Sequence, residues 1–436
     1  MMTKKTALIL CLASLALLFA ACEKRNVSEQ IITENPPIHD TEEPTSAVFE
    51  TSAGKIAIIT APFYQNRETY TSARQIVDKY GKDKVIHRTW PDMHRDETEQ
   101  VISIVAKLGA DPEIKAIIAS DVVYGMSAGF EKLRETRPDI FIASCGTQDI
   151  WLAQIANLIF GEDSLGMCQA IVEQAQNMGA KAFVYYSSSY LLAYPVIFEM
   201  RKRIKESCEK LNIEFVNAEE LNMPSALISL NVDKYIQNYG KDTAFYCPGF
   251  QGDIIGEVVK AGAILPQAWG LSPYRGFPVA LGINWPDGKN FHDVYELLPL
   301  DYFISEASRI AAEKGITGRL STWPVPLEMM STIAGAEYAI KWLDGEVPKK
   351  GVDIEVLRQL MEDYAGVKVY LTPYTDKYPY TADVDTEVMQ QIRNRAFIEE
   401  TYFFPYTDEY PYPYTDRGAG ETYDNFLLMR MDHITF

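Results

Sequence analysis

The stretch "KIAIITAPFYQNRETY", Lys55–Tyr70, decides the fold. Ile56–Ala57–Ile58–Ile59 is an unbroken apolar run rich in β-branched residues. Such a run makes a strand buried on both faces, the kind found where helices cover a parallel sheet. The run stops at Ala61–Pro62, and a loop of aromatics and amides follows: Phe63, Tyr64, Gln65 and Asn66. "ETYTSARQIVDKYG" then reads as a helix closing on Gly81. Strand, short loop and helix together form half of a strand–helix–strand unit.

The unit repeats outward from there. "KVIHRTW", "IKAIIAS", "PDIFIASCG" and "ANLIF" read as strands, with helices over "RDETEQVISIVAKLGA" and from Met126 to Thr136. A second series starts with a helix, "DSLGMCQAIVEQAQNMGA". It continues through strands "KAFVYYSSS", "IEFVNA" and "DTAFYCPG" and helices "YPVIFEMRKRIKESCEKLN", "NVDKYIQNYG" and "DIIGEVVKAGA". "FPVALGI" reads as the strand completing the set, followed by helices near Tyr302–Lys314 and over "PLEMMSTIAGAEYAIKWLDG". This alternation predicts an α/β protein of two doubly wound, Rossmann-like lobes joined by crossovers, breaking near Phe160–Asp163.

The 436 residues carry a formal net charge of -19, which disfavours nucleic acid and anionic lipid as partners. "MMTKKTALILCLASLALLFAAC" has a basic start, a short apolar core and small residues before Cys22, the pattern of a secretory signal. "FAAC" resembles the lipobox of bacterial lipoproteins, so Cys22 is the expected acylation site, carrying palmitate or a similar chain. Residues 22–53 are polar, acidic and proline-bearing, a composition that does not bury enough apolar surface to fold and reads as a tether. Cys145, Cys168, Cys208 and Cys247 are irregularly spaced and imply no metal site; they read best as buried hydrophobes. Near the end, Pro-Tyr-Thr-Asp occurs at Pro373, Pro405 and Pro413, with a near copy at Pro379. These copies read as a strap of aromatic turns, and "NFLLMRMDHITF" as a closing strand.

Ligands of open parallel sheets sit beyond the carboxyl ends of the strands. The first lobe offers Phe63, Tyr64, Gln65, Asn66, Ser120, Asp121, Tyr124, Thr147 and Gln148 there. The second offers Tyr186, Ser187, Tyr246, Phe250, Gln251, Ser272, Tyr274 and Arg275, and the crossover adds Trp323. Aromatic faces with amides and hydroxyls suit a small polar solute. No nucleophile elbow, Walker loop or dinucleotide fingerprint follows a strand, and the five histidines form no ligand set. Asp121 and Asp149 remain as a carboxylate pair for a less favoured enzymatic reading. No cofactor or metal is expected.

The lipobox, "KIAIITAPFYQNRETY", "DPEIKAIIASDVVYGMSAGFEKLRETRPDIFIA" and "YGKDTAFYCPG" resemble a lipoprotein family catalogued as domain of unknown function 3798. That family is similar in fold to type I periplasmic binding proteins. The resemblance covers roughly Gly54–Gly345 and carries over no site residues. It implies a first lobe of 54–160 plus about 324–350, a second of 161–323, and a 351–436 tail supplying a third crossover. The expected function is a lipid-anchored, extracytoplasmic solute-binding protein that closes on its solute and serves an ABC permease. The alternative is a lipoprotein sensor or surface interaction protein signalling to a membrane partner.

Overall fold

The computed structural model describes residues 54–92, 97–121, 123–146, 150–186, 195–218, 225–248, 252–267, 272–274, 276–289, 297–375 and 422–436. The opening stretch is strand β1, Lys55–Thr60, buried from Ile56 onward. It lies between β2 (Val85–Thr89) and β3 (Ile114–Ser120), both parallel to it, with Ile58 opposite His87 and Ile118. β4 (Phe141–Cys145) and β5 (Leu158–Glu162) extend the sheet in parallel. Helix α1 (Arg67–Tyr80) is capped by Asn66, whose Oδ1 accepts from the Glu68 and Thr69 amides, and closes at Gly81 with φ 84°. α2 (Thr98–Ala110) and α3 (Met126–Thr136) pack on each other over the sheet, where Ile117, Val105 and Phe130 share one core.

A second, three-stranded parallel sheet has β6 (Ala182–Tyr186) between β7 (Glu214–Ala218) and β8 (Thr243–Tyr246). Bridges Ala244–Ile264 and Leu265–Leu320 continue it toward β9 (Ser321–Thr322). Its helices are α4 (Gly166–Asn177), α5 (Pro195–Lys210), α6 (Ser225–Tyr239), α7 (Gly252–Ala261), α8 (Phe277–Leu281) and α9 (Leu300–Glu313). "FPVALGI" therefore holds a short helix, not a strand. Pro278 presets the first turn and Gly282, in the left-handed region at φ 72°, ends it.

The chain then returns to the first sheet. α10 (Leu327–Asp344) runs across β1, β3, β4 and β5 and is buried on most of its surface. A Cβ at Gly335 would lie 3.3 Å from the Phe160 ring and 3.5 Å from Cys145 Sγ, so a glycine there permits the close approach. After α11 (Ile354–Ala365) come β10 (Val369–Thr375) and β11 (Thr422–Met431). β11 inserts parallel to β5, β10 pairs antiparallel with it at the edge, and the sheet order becomes β10-β11-β5-β4-β3-β1-β2. β12 (Ile434–Thr435) then pairs antiparallel with β9 of the second sheet.

The chain thus passes between the sheets three times: after β5, after β9 and after β11. All the described residues belong to one compact unit, Phe49–Phe436. Pro373 of the first Pro-Tyr-Thr-Asp copy lies in a strand rather than a turn. It sits on the edge strand, where a missing N–H breaks no interior ladder, and the register shifts just after it. The copies at Pro379, Pro405 and Pro413 lie outside the described residues, as do the signal segment, Cys22 and the tether. The four later cysteines are buried and are joined by no disulfide.

Candidate functional site

Three adjacent strands, β4, β3 and β1, end on the same side of the first sheet, and the N-termini of α1 and α10 meet them there. Between these ends lies a cavity of about 290 Å³ lined by Ala61, Gln65, Asn66, Asp121, Val123, Gly146 and Glu328. Asp121 is its centre. The residue stands directly after β3 at φ 71°, a left-handed conformation that Asp and Asn tolerate better than most residues. That turn swings the carboxylate back over the sheet. Oδ2 accepts from the Ala61 amide at 2.7 Å and Thr69 Oγ1 at 2.9 Å, and Oδ1 accepts from Asn66 Nδ2 at 2.7 Å.

Asn66 Nδ2 also donates to Glu328 Oε2 at 2.7 Å. One amide thus stands between two carboxylates while its oxygen caps α1. Burial, and then the Glu328 charge, push the Asp121 carboxyl up to about 6 against the pull of its three donors. At the end of β5, burial raises Glu162 to about 7; the Ser164 hydroxyl, 2.8 Å away, opposes this, and the Asp163 and Glu328 charges add to it. The lining carboxyls of Asp121 and Glu328 make the site rich in acceptors. Beneath it Ser120 Oγ and Thr332 Oγ1 lie 2.6 Å apart, tying β3 to α10.

Gln65, Asn66 and Asp121, named from the sequence, come together at this cavity. Tyr64 and Tyr124, chain neighbours of the lining residues Gln65 and Val123, are 63% and 51% exposed. Phe63 is half-buried, edge-on to Tyr70 and under the Arg67 guanidinium. Ser120 is under the floor. Four other residues are elsewhere in this structure. Tyr186 is in the second core, its hydroxyl donating to Asn231 at 2.9 Å, and Tyr274 donates to the Leu298 carbonyl at 2.8 Å. Tyr246 and Trp323 are buried in the first core. None of the four lines the cavity; Tyr186 and Tyr246 end β6 and β8, where a strand's last residue points to one face and is covered by helices.

Thr147, Gln148, Ser187, Phe250, Gln251 and Arg275 lie outside the described residues, as does Asp149 of the alternative carboxylate pair. Glu328 is an addition. Glu328 carries a modest sequence signal, an acid in the first turn of the helix after "WPVP". Among the described residues no group of three or more His, Cys, Asp or Glu side chains is placed to hold a metal ion. His87 is structural: burial, then Arg74 and Arg88, lower it to about 4, and its Nε2 lies 2.9 Å from Thr60 Oγ1. Cys145 is also a poor nucleophile, its thiol pushed up to about 12 by burial. No helix among the described residues is long and apolar enough to cross a membrane.

Comparison with known proteins agrees with the fold. A crystal structure of a candidate transcriptional regulator from Clostridium difficile 630 superposes with a TM-score of 0.69 at 18% identity, covering 88% of this chain and 99% of that one. Identity that low speaks for the fold alone. An ABC transporter periplasmic solute-binding protein from Actinobacillus succinogenes 130z, solved with D-allose, reaches a TM-score of 0.39 at 14% identity, over 70% of this chain and 99% of that one. A likeness of that size carries no inference about this chain. Two uncharacterized proteins of Treponema pallidum (strain Nichols) are similar in sequence. One is 26% identical over 202 residues, 44% of this chain and 90% of its own length. The other is 23% identical over 172 residues, 38% of this chain and 78% of its own length. The model of the family "Protein of unknown function (DUF3798)" matches residues 54–321, and the chain belongs to that family.

Proposed function

We propose that this chain is a lipid-anchored, extracytoplasmic solute-binding protein that captures a small polar solute at the Asn66–Asp121–Glu328 cavity and presents it to an ABC permease. The observation that carries this reading is the cavity itself: concave, at the carboxyl ends of three parallel strands, and lined by partly buried hydrogen-bonding side chains. Its chemistry narrows the solute. Two carboxylates and a carboxamide favour a ligand that brings donors, such as an ammonium or ring N–H groups, and the Tyr64 and Tyr124 faces suit a planar or cationic body. The work is binding rather than bond making: among the described residues no activated nucleophile stands at the cavity, and the Asp121 carboxylate is engaged in holding loops. The lipobox at Cys22 supports the anchor, and neither nucleic acid nor a cofactor enters the reading.

Thermal melting of the mature protein against amines, nucleosides, amino acids and sugars tests it. A solute at a hundred times its Kd stabilises by about 2.7 kcal/mol, which shifts the melting point measurably. Asp121→Asn should abolish that shift. A second reading draws on Trp151, an aromatic 51% exposed: a surface-interaction or sensor lipoprotein that engages a protein partner. Melting unmoved by every solute class would favour that second reading.

A further inference from the structure

The first turn of α1 faces two ways. Asn66 and Thr69 hold the cavity's Asp121, as described above. Glu68, between them, points elsewhere: its Oε1 accepts from Ser272 Oγ at 2.6 Å, across 204 residues of sequence. Ser272 belongs to the stretch between β8 and β9 of the second sheet. Its Oγ also accepts from the Tyr274 amide at 3.1 Å, and Tyr274 is fixed in turn by its hydroxyl on the Leu298 carbonyl and by its ring against Phe303. Both ends of the Glu68–Ser272 bond are buried, Glu68 5% exposed and Ser272 fully enclosed. Tyr364 of α11 is close by, its hydroxyl pushed up by burial and then by the Glu68 charge.

We propose that Glu68–Ser272 is a latch between the two sheets, and that the first turn of α1 couples it to the solute cavity. Away from the three backbone crossings, this is a buried polar bond joining the first turn of α1, on the first sheet, to a loop of the second. A buried carboxylate is stable where a donor meets it, so separating the sheets costs the bond unless water replaces it. The turn carrying Glu68 moves as a body with the cavity, because Asn66 caps the Glu68 and Thr69 amides while Thr69 Oγ1 and Asn66 Nδ2 both bond Asp121. Ligation at Asp121 and docking at Ser272 are therefore linked, and each must favour the other by the same factor. Only this last step rests on the solute-binding reading; the latch does not.

The test measures the latch in the full chain without added solute. Spin labels are placed through keto-bearing unnatural residues at exposed positions Lys107 of α2 and Ala312 of α9, and the inter-label distance is read by pulsed electron resonance. Ser272→Ala should lengthen and broaden the distance distribution, and Glu68→Gln should move it the same way by less. The Glu68→Ala, Ser272→Ala double variant should move no further than the larger single change, since both break one bond. Distributions identical to the parent's in Ser272→Ala and Glu68→Gln, with native circular dichroism, overturn the latch. If Ser272→Ala does not fold, Glu68→Gln decides alone in the same terms. Loss of solute binding in Asp121→Asn concerns the cavity and involves neither latch residue, so the two readings fail separately.

Discussion

Asp121 is the residue on which the site turns, and its energetics are open to a pH experiment. Its carboxyl, ordinarily near 3.8, stands at about 6 in the fold because burial and the Glu328 charge disfavour ionisation. A carboxyl raised in the folded state contributes stability that is present below its unfolded value and lost as pH rises through the folded one. Asp121 should therefore cost stability progressively between about pH 4 and pH 6, by at most roughly 3 kcal/mol. Asn tolerates the same left-handed turn and keeps an acceptor for the Ala61 amide. Asp121→Asn should thus gain on the parent across that interval and run parallel to it outside; a constant difference from pH 4 to pH 7.5 in urea titrations would refute the assignment. Two tyrosines make a sharper contrast. Tyr64→Ala, at an exposed side chain, should change stability by less than about 0.5 kcal/mol. Tyr186→Ala opens a void among Phe245, Tyr235 and Val184 and should cost about 3 kcal/mol or more. Only the first is a clean probe of solute binding. Gln65, Asn66 and Asp121 were legible in sequence because the strand-end rule locates loops. Tyr186 and Tyr246 misled because the rule does not say which way a strand's last side chain points. Glu328 was illegible as a site residue because its bond to Asn66 spans 262 residues.

At the scale of elements, the strand–helix units were readable wherever an apolar run met a glycine or a polar loop. β1, β3 and β4 are such runs, and their burial on both faces is what β-branched and small residues without alternation imply. Two readings failed for local reasons. Phe277–Leu281 looks like a strand by composition, yet Pro278 and Gly282 start and stop a helix within a single turn and a half. The Pro-Tyr-Thr-Asp motif reads as a turn, but at Pro373 edge pairing with β11 overrides that preference. The pairing has support from packing: Tyr374 stacks on Phe426 with centroids 4.8 Å apart. β11 itself lies inside the sheet although it is the last of that sheet's strands in the chain, so no local pattern could announce its neighbours. Its inward Leu427 is fully buried between β10 and β5. Leu427→Ala should therefore cost about 2–5 kcal/mol, the range for core leucines, measured as a lowered denaturant midpoint at unchanged slope. A cost below about 1 kcal/mol would mean that β11 is a peripheral addition rather than a structural strand.

For the whole molecule, the decisive feature is that β11 and β12 belong to different sheets although only Asp432 and His433 separate them. Met429 and Met431 are buried with the first sheet. Phe436 is buried in the second core, edge-on to Phe277 at 5.8 Å and to Phe303 at 5.9 Å. Its amide donates to the Leu320 carbonyl and its own carbonyl accepts from Gly318. A few residues thus anchor one strand in each sheet, and neither sheet can lose its strand without pulling on the other. Phe436→Ala removes the second anchor and keeps the backbone pairing. Truncating an enclosed phenylalanine costs about 3–5 kcal/mol. If the crossings make the sheets one cooperative unit, that loss should lower the midpoint of a single transition, with fluorescence and circular dichroism still coincident. If the sheets are energetically separate, the second should melt early and alone, and the two probes should part. Coincident curves at a lowered midpoint are the expected result; a split transition would show that the crossings join the sheets in space without coupling their stability.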